Sequence, residues 1–393
     1  MLSGSIILLV LASSLCNGVL TGIDRLKEEE FYSWVKGKRA GLITNQTGIS
    51  CDLRSTVEIL HSLQEVELSA LFSPEHGISG DAQAGEKVES TIHVQSLYGN
   101  SRKMTDIMLS GLDVLLFDIQ DVGVRFYTYI ATMLDAMRAA ARNKIPFIVL
   151  DRPNPIGGHR VEGPILEVEL KSFVGIHPIP IRHGMTVGEL AKLLNKEQQK
   201  AAHLQVVPVK GWTRNQWFDT TNLTWVQPSP NMPSLETAAI YPGFGLIEGT
   251  NLSEGRGTTR PFEWIGAPWI DSLSLVKTLN DLMLPGVHFR PQTFRPTFSK
   301  YRGKVCHGVQ VHVVDRPSFH PLRTTLVFLQ TVMQMHPDKL EFKNGFDRLA
   351  GNTWLRENLQ GGYSVDSMMA KWEHDRLQFL KNRSNFLIYP KGN

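Results

Sequence analysis

Leu68-Ser69-Ala70-Leu71-Phe72-Ser73-Pro74-Glu75-His76-Gly77 sets a carboxylate and an imidazole directly behind a short apolar run. A run of that length, closed by Pro and Gly, reads as a buried strand with its last polar residues at the carboxyl end. The pattern recurs through the first half of the chain. Ala40 to Thr44 runs into Asn45, Val114 to Phe117 into Asp118, and Phe147 to Leu150 into Asp151. Between these runs lie stretches of helical period, Thr56 to Leu63 and Thr128 to Arg142, the second with Met133, Leu134 and Met137 on one face. Thr186-Val187-Gly188-Glu189 is a capping box that opens a helix continuing to Asn195, and Leu204 to Val209 supplies a fifth strand. Strands that alternate with helices give an α/β fold, here a Rossmann-like, mostly parallel sheet with helices on both faces. Ligands in such sheets bind beyond the carboxyl ends of the strands. Asn45, Glu75, Asp118 and Asp151 are therefore expected on one rim.

At 393 residues the chain exceeds a single core. We expect a leader at 1–18, a Rossmann-like catalytic domain at 19–240 and a smaller C-terminal α+β domain at 241–393. After Trp225 the strand and helix alternation gives way to Pro228, Pro230, Pro233, Pro242 and a run of glycines. That composition predicts irregular backbone through Pro268. Order resumes with alternating Val305, His307, Val309, Val311 and Val313 as a strand, and with helices over Pro321 to Met335 and Ser364 to Leu380. The stretch from Gly77 to Tyr98 has no apolar period, and a long loop leaving the Glu75 rim is expected to form a wall or lid.

The formal charge of +3 is spread without a dense Lys/Arg stretch, which argues against a nucleic-acid partner. Ile6 to Ala12 is apolar and is followed by small and polar residues to Gly18. This reads as a secretory signal, since a membrane span needs roughly 20 apolar residues, so the protein is expected to be secreted or lumenal, without stable membrane insertion. Asn45-Gln46-Thr47, Asn222-Leu223-Thr224, Asn251-Leu252-Ser253 and Asn382-Arg383-Ser384 have the form of glycosylation acceptors. A glycan on Asn45 would block the rim. Cys16 falls in the leader, so Cys51 and Cys306 are expected as two buried thiols rather than a disulfide framework.

Chemistry concentrates in four clusters. A carboxyl at position 75, behind an apolar strand and beside Pro74, is expected to be partly desolvated, which favours its proton-donating form. His76 orients it or shares its proton; the plainer alternatives are a capping Glu and a structural His. Asp118-Ile119-Gln120-Asp121, followed through Arg125 and Tyr127 to Tyr129, joins acids, a cation and hydroxyl-bearing rings between a strand and a helix. Sugar sites need that mixture, because carboxylates and amides grip hydroxyls while aromatic faces pack on the ring. An ion pair between Asp121 and Arg125 is the structural alternative. Asp151-Arg152-Pro153-Asn154-Pro155 is a stiff turn that fixes the direction of Asn154. Asn251 to Thr258 brings Glu254 and Arg256 between glycines that permit close approach to a ligand. Arginines beside a cleft suit an anionic substrate group. Gly243 to Gly249 has the wrong spacing for a dinucleotide fingerprint, and no phosphate-binding loop, nucleophile elbow or HExxH zinc motif is present. Asp118, Asp121 and Asp151 together leave a Mg²⁺-dependent phosphoesterase open.

Taken in order, Ser73 to Gly77, Asp118 to Tyr129, Asp151 to Pro155, Pro228-Ser229-Pro230-Asn231-Met232-Pro233 and Gly249 to Thr258 resemble the NamZ-type exo-β-N-acetylmuramidases, over about residues 38 to 390. The resemblance implies removal of N-acetylmuramic acid from the non-reducing end of peptidoglycan fragments by a Rossmann-like catalytic region and an auxiliary C-terminal domain. It implies no cofactor. By its motif it places the catalytic glutamate on Glu75. Our own reading of the clusters puts Asp118 in support, with Asp118 or Asp121 as base or nucleophile and the substrate's own acetamido group as the alternative, and takes Asn45, Asp121, Arg125, Tyr127, Asp151, Arg152, Asn154, Asn231, Glu254 and Arg256 as substrate contacts. The lactyl carboxylate of muramic acid would meet Arg125, Arg152 or Arg256. A lectin-like protein that holds muropeptides without cleaving them is the competing class.

Overall fold

The computed structural model describes residues 18–79, 94–97 and 103–392. The leader, Cys16 and most of the expected wall between Gly77 and Tyr98 lie outside them.

Every strand of the central sheet is parallel to its neighbours. β1 (Lys38–Thr44), β2 (Val66–Ser73), β3 (Val94–Ser96), β4 (Val114–Asp118), β5 (Phe147–Leu150) and β8 (Leu204–Val207) pair in the order β3-β2-β1-β4-β5-β8, while β6 (Glu162–Ile165) and β7 (Pro180–Arg182) form a separate antiparallel pair. Side chains alternate across each strand, and here both faces are buried. Leu115 and Phe117 of β4 and Phe147 and Val149 of β5 join one core with α2 (Tyr129–Asn143) and α3 (Val187–Lys196). Val114, Leu116, Ile148 and Leu150 join the opposite core, with Ile23, Leu26, Phe31 and Val35 from the start of the described chain and Ile59 and Leu60 of α1 (Thr56–Ser62). Continuous apolar runs instead of alternating ones follow directly from this double burial.

The caps explain where the helices begin. Ser55 accepts from Glu58 N and Thr186 from Glu189 N, each with the reciprocal glutamate bond of a capping box. The chain leaves β1 for β2 and β3 on one side, then returns to lay β4 on the other side of β1. That reversal opens a crevice at the carboxyl ends of β1, β2 and β4, the place where ligands bind in such sheets.

The C-terminal part is smaller and of α+β type. Its sheet is antiparallel, β10 (Val287–Phe294), β11 (Cys306–Val313) and β9 (Trp264–Ala267), in the order β10-β11-β9. Helices α5 (Ser272–Asp281), α6 (Pro321–Met335), α7 (Gly345–Ala350), α8 (Trp354–Gln360) and α9 (Val365–Arg383) complete it. The expectation of irregular backbone from Trp225 to Pro268 requires correction. Leu235–Phe244 forms helix α4, capped by Ser234 and buried at every residue but Glu236 despite Pro242 inside it, and β9 also falls in this stretch. Pro242 sits in the last turn, so its missing N–H removes one helical bond close to the point where the helix ends. The packing of α4 on α6 is close: a Cβ on Gly243 would stand 2.1 Å from the Pro321 carbonyl oxygen. Gly243→Ala is therefore expected to lower stability by roughly 1–3 kcal/mol, read as an earlier midpoint in urea unfolding with an unchanged slope.

One of the two cysteines also differs from expectation, and the other meets it. Cys51 is in a disulfide, whereas Cys306 is a free, buried thiol that burial pushes up to about 11. No bridge joins Cys51 to Cys306.

Candidate active site

Glu75 leaves β2 on a tight turn. Gly77 N donates to the Pro74 carbonyl across 3.2 Å, and His76 adopts φ 73°, the left-handed region that turn geometry requires at its third position. A non-glycine residue there carries roughly 1 kcal/mol of backbone strain. Glu75 itself is buried, and the Thr128 hydroxyl at the start of α2 donates to its Oε2 across 2.7 Å.

Glu75 and His76 line a cavity of about 150 Å³ together with Tyr127, Asn231, Tyr241, Glu248 and Arg256. Aromatic rings make one wall. Tyr127 meets Tyr129 edge-on at 5.0 Å and Tyr241 at 6.0 Å, and Tyr241 meets Phe262 at 4.7 Å. Burial raises the Tyr127 hydroxyl well above its ordinary value, so it remains a neutral donor beside Ser229, Asp121 and Glu75. The Pro-rich stretch that carries Ser229 and Asn231 is held by Tyr129, whose hydroxyl donates to the Pro228 carbonyl at 2.5 Å.

Arg256 closes the opposite side, 3.2 Å from Glu248 and 3.5 Å from Glu254, with its guanidinium over the Phe262 ring. Burial pulls its pKa down, but the two carboxylates outweigh burial and hold the charge in place. Gly255 and Gly257 on either side have φ near 80°, a conformation that lets the loop fold back tightly. The Lys300 ammonium donates to the carbonyls of Ile247, Glu248 and Leu252 and pairs with Glu254 at 2.9 Å. The loop behind the site is thereby pinned.

Several residues singled out from the sequence lie on the rim without lining this cavity. Asp118 is fully buried and grips Arg152 through two bonds of 2.5 and 3.0 Å, and the Thr56 hydroxyl donates to it as well. Arg152 gives its remaining bond to the Ile49 carbonyl. Asp151 accepts from the backbone of Arg152 and Gly188 and from the hydroxyls of Thr186 and Tyr389, and burial pushes it up to about 6. It anchors α3 and the C-terminal residues. Asn154 is held between Met185 and Ile156.

Arg125 meets neither Asp121 nor the cavity. Its guanidinium donates to the carbonyls of Pro164, Ile179, Leu349 and Ala350, each at 2.8 Å, and so joins the two halves of the protein. Burial without a counter-ion pulls it down to about 9. Asp121 accepts from Gly123 N and lies 3.9 Å from His183, with one oxygen lacking a partner; burial pushes it up to about 7. Asn45 is buried one layer behind the cavity, donating to Tyr129 and accepting from Thr47, which leaves no room for a glycan. Glu254 is buried behind Arg256. The three aspartates have separate partners, and among the described residues no cluster of His, Cys, Asp and Glu is arranged to hold a metal ion.

Two sequence patterns match the halves of the chain: Exo-beta-N-acetylmuramidase NamZ, N-terminal, over residues 40–236, and Exo-beta-N-acetylmuramidase NamZ, C-terminal, over residues 239–389. The chain belongs to the NamZ exo-β-N-acetylmuramidase family. A relative from Bacillus subtilis (strain 168), the peptidoglycan β-N-acetylmuramidase NamZ, is 54% identical over 379 residues, covering 94% of this chain and 91% of its own. The fold is shared with two DUF1343 family proteins of Bacteroides fragilis. One is 40% identical with a TM-score of 0.88, over 94% of this chain and 99% of the other. The second is 31% identical with a TM-score of 0.79, over 95% and 99%.

Within this NamZ-family site, Thr128, Ser229, Tyr241, Glu248 and Phe262 line the cavity without having been singled out from the sequence. Glu248 had a signal of its own: it is the lone acid in the otherwise apolar and glycine-rich Gly243 to Gly249. A charged residue in such a setting is expensive to bury unless it has a partner.

Proposed function

We propose that this protein is an exo-acting glycosidase that releases N-acetylmuramic acid from the non-reducing end of peptidoglycan fragments, with Glu75 as the general acid. The observation that carries the reading is the meeting of Glu75 and Arg256 in one aromatic-walled cavity. A proton donor and a fixed cation are the two things a β-linked muramic acid residue requires, one for its glycosidic oxygen and one for its lactyl carboxylate. With Thr128 on Oε2, the other oxygen of Glu75 is left to protonate the leaving group. Tyr127 and Asn231 supply polar contacts for the ring hydroxyls and the acetamido group. Neither Arg125 nor Arg152 lines the cavity, and both are tied to other partners, which makes Arg256 the lactyl clamp. Export by the leader would place the enzyme where wall fragments are found.

The test uses two disaccharides, N-acetylmuramic acid β-linked to N-acetylglucosamine, and its all-N-acetylglucosamine counterpart. The protein is expected to release muramic acid from the first and to leave the second nearly untouched. In Arg256→Met the preference is expected to shrink by about 10- to 100-fold, in line with the roughly 1.5–3 kcal/mol of a charge-assisted contact. Binding of the first disaccharide without any release would make the protein a muropeptide-binding module instead.

A further inference from the structure

Glycoside hydrolysis takes two groups, one that protonates the leaving oxygen and one that serves the opposite face of the sugar. Resting on the muramidase reading above, we infer that Glu248 is the second catalytic group, the general base that activates the attacking water. Glu75 and Glu248 are the carboxylates among the described residues lining the cavity, and they come from different parts of the fold. Glu75 ends β2, while Glu248 stands on the 3-10 turn Gly245–Gly249 that follows α4. Tyr241 lines the same cavity, and its hydroxyl feels the charge of both.

The local geometry suits the role. The Glu248 side chain keeps 28% of its surface exposed, against 3% for Glu254 behind it, so Glu248 opens toward the cavity. Arg256 engages Oε1 at 3.2 Å and leaves Oε2 to a water. The ammonium of Lys300 fixes the Glu248 carbonyl at 3.0 Å, so the base is held without using its carboxylate. Burial raises the Glu248 pKa against the opposing pull of Arg256, and that direction makes a carboxylate more basic.

In the step this assigns, water oxygen forms the new bond to the anomeric carbon as its proton passes to Glu248. The glycosidic carbon–oxygen bond breaks, and its electron pair takes the proton of Glu75. A proton returning from Glu248 to Glu75 through solvent restores both groups. No covalent sugar–enzyme bond forms, and the anomeric configuration inverts.

The test compares the muramic acid disaccharide with a 4-nitrophenyl β-glycoside of N-acetylmuramic acid, whose leaving group needs no proton. Glu248→Gln is expected to lose about 10²–10⁴-fold in kcat on both substrates, with KM little changed and with the rising limb of the pH–kcat profile gone. A structural role would not remove that limb selectively. NMR of the wild-type reaction, which needs no variant to fold, is expected to show the α anomer as the first product. Aryl glycoside turnover by Glu248→Gln within about 3-fold of wild type, or a β anomer released first, would overturn the assignment in favour of the substrate's own acetamido group or a covalent intermediate. If the wild-type protein cleaves neither substrate, the muramidase reading falls and takes this inference with it.

Discussion

Glu75→Gln is expected to lower kcat on the muramic acid disaccharide by about 10²–10⁴-fold, while cleavage of the 4-nitrophenyl glycoside falls far less. The split follows from the leaving groups. A sugar hydroxyl leaves poorly without a proton, whereas nitrophenolate leaves unaided, so removal of the acid is felt on the natural bond alone. The amide of Gln keeps the shape of the side chain and still accepts from Thr128, which holds the turn at Pro74 to Gly77 in place. Binding of the disaccharide is therefore expected to persist. Equal losses on both substrates would mean that position 75 serves as base or nucleophile, and unchanged rates on both would remove it from the chemistry.

Asp118→Ala should act on stability instead. It strips a buried guanidinium of its counter-charge, because Arg152 has Asp118 and one backbone carbonyl as its partners. Breaking a buried ion pair from one side costs about 3–5 kcal/mol. At roughly 1–2 °C per kcal/mol for a chain of this length, the melting temperature is expected to fall on the order of 5 °C. Measured below that transition and per folded molecule, kcat is expected to stay close to wild type. A variant that melts normally but has lost its turnover would return Asp118 to the catalytic machinery.

The contrast between these two acids shows how far the sequence carries. Both follow apolar strands, both fall on the same rim, and nothing in the surrounding letters separates them. What separates them is the partner each meets. Thr56 and Arg152, both distant in the chain, converge on Asp118, while the other face of Glu75 remains toward the cavity. Arg125, Arg152 and Arg256 are likewise indistinguishable as letters. Four carbonyls from three segments occupy the first, a buried aspartate the second, and the third alone reaches the cavity.

Local pattern was sufficient for five of the six strands of the parallel sheet, the exception being β3, which falls in the stretch expected as a loop. The strand runs at β1, β2, β4, β5 and β8 and the helices opened by Ser55 and Thr186 are written in apolar period and capping residues, which act over a few neighbours. The same logic failed at α4. There Pro242 and the nearby glycines signal irregular backbone, but burial of every residue of that helix except Glu236 overrides propensity.

Alone, then, the sequence determined the parallel sheet, the rim at its carboxyl edge and the presence of Glu75 upon it, because periodicity and turn chemistry are properties of adjacent residues. Tertiary structure decided which acid and which arginine line the cavity, and it brought Glu248 to the same cavity as Glu75 from 173 positions further along the chain. Those choices depend on partners supplied by remote segments, and no local pattern records which donor will arrive at which carboxylate.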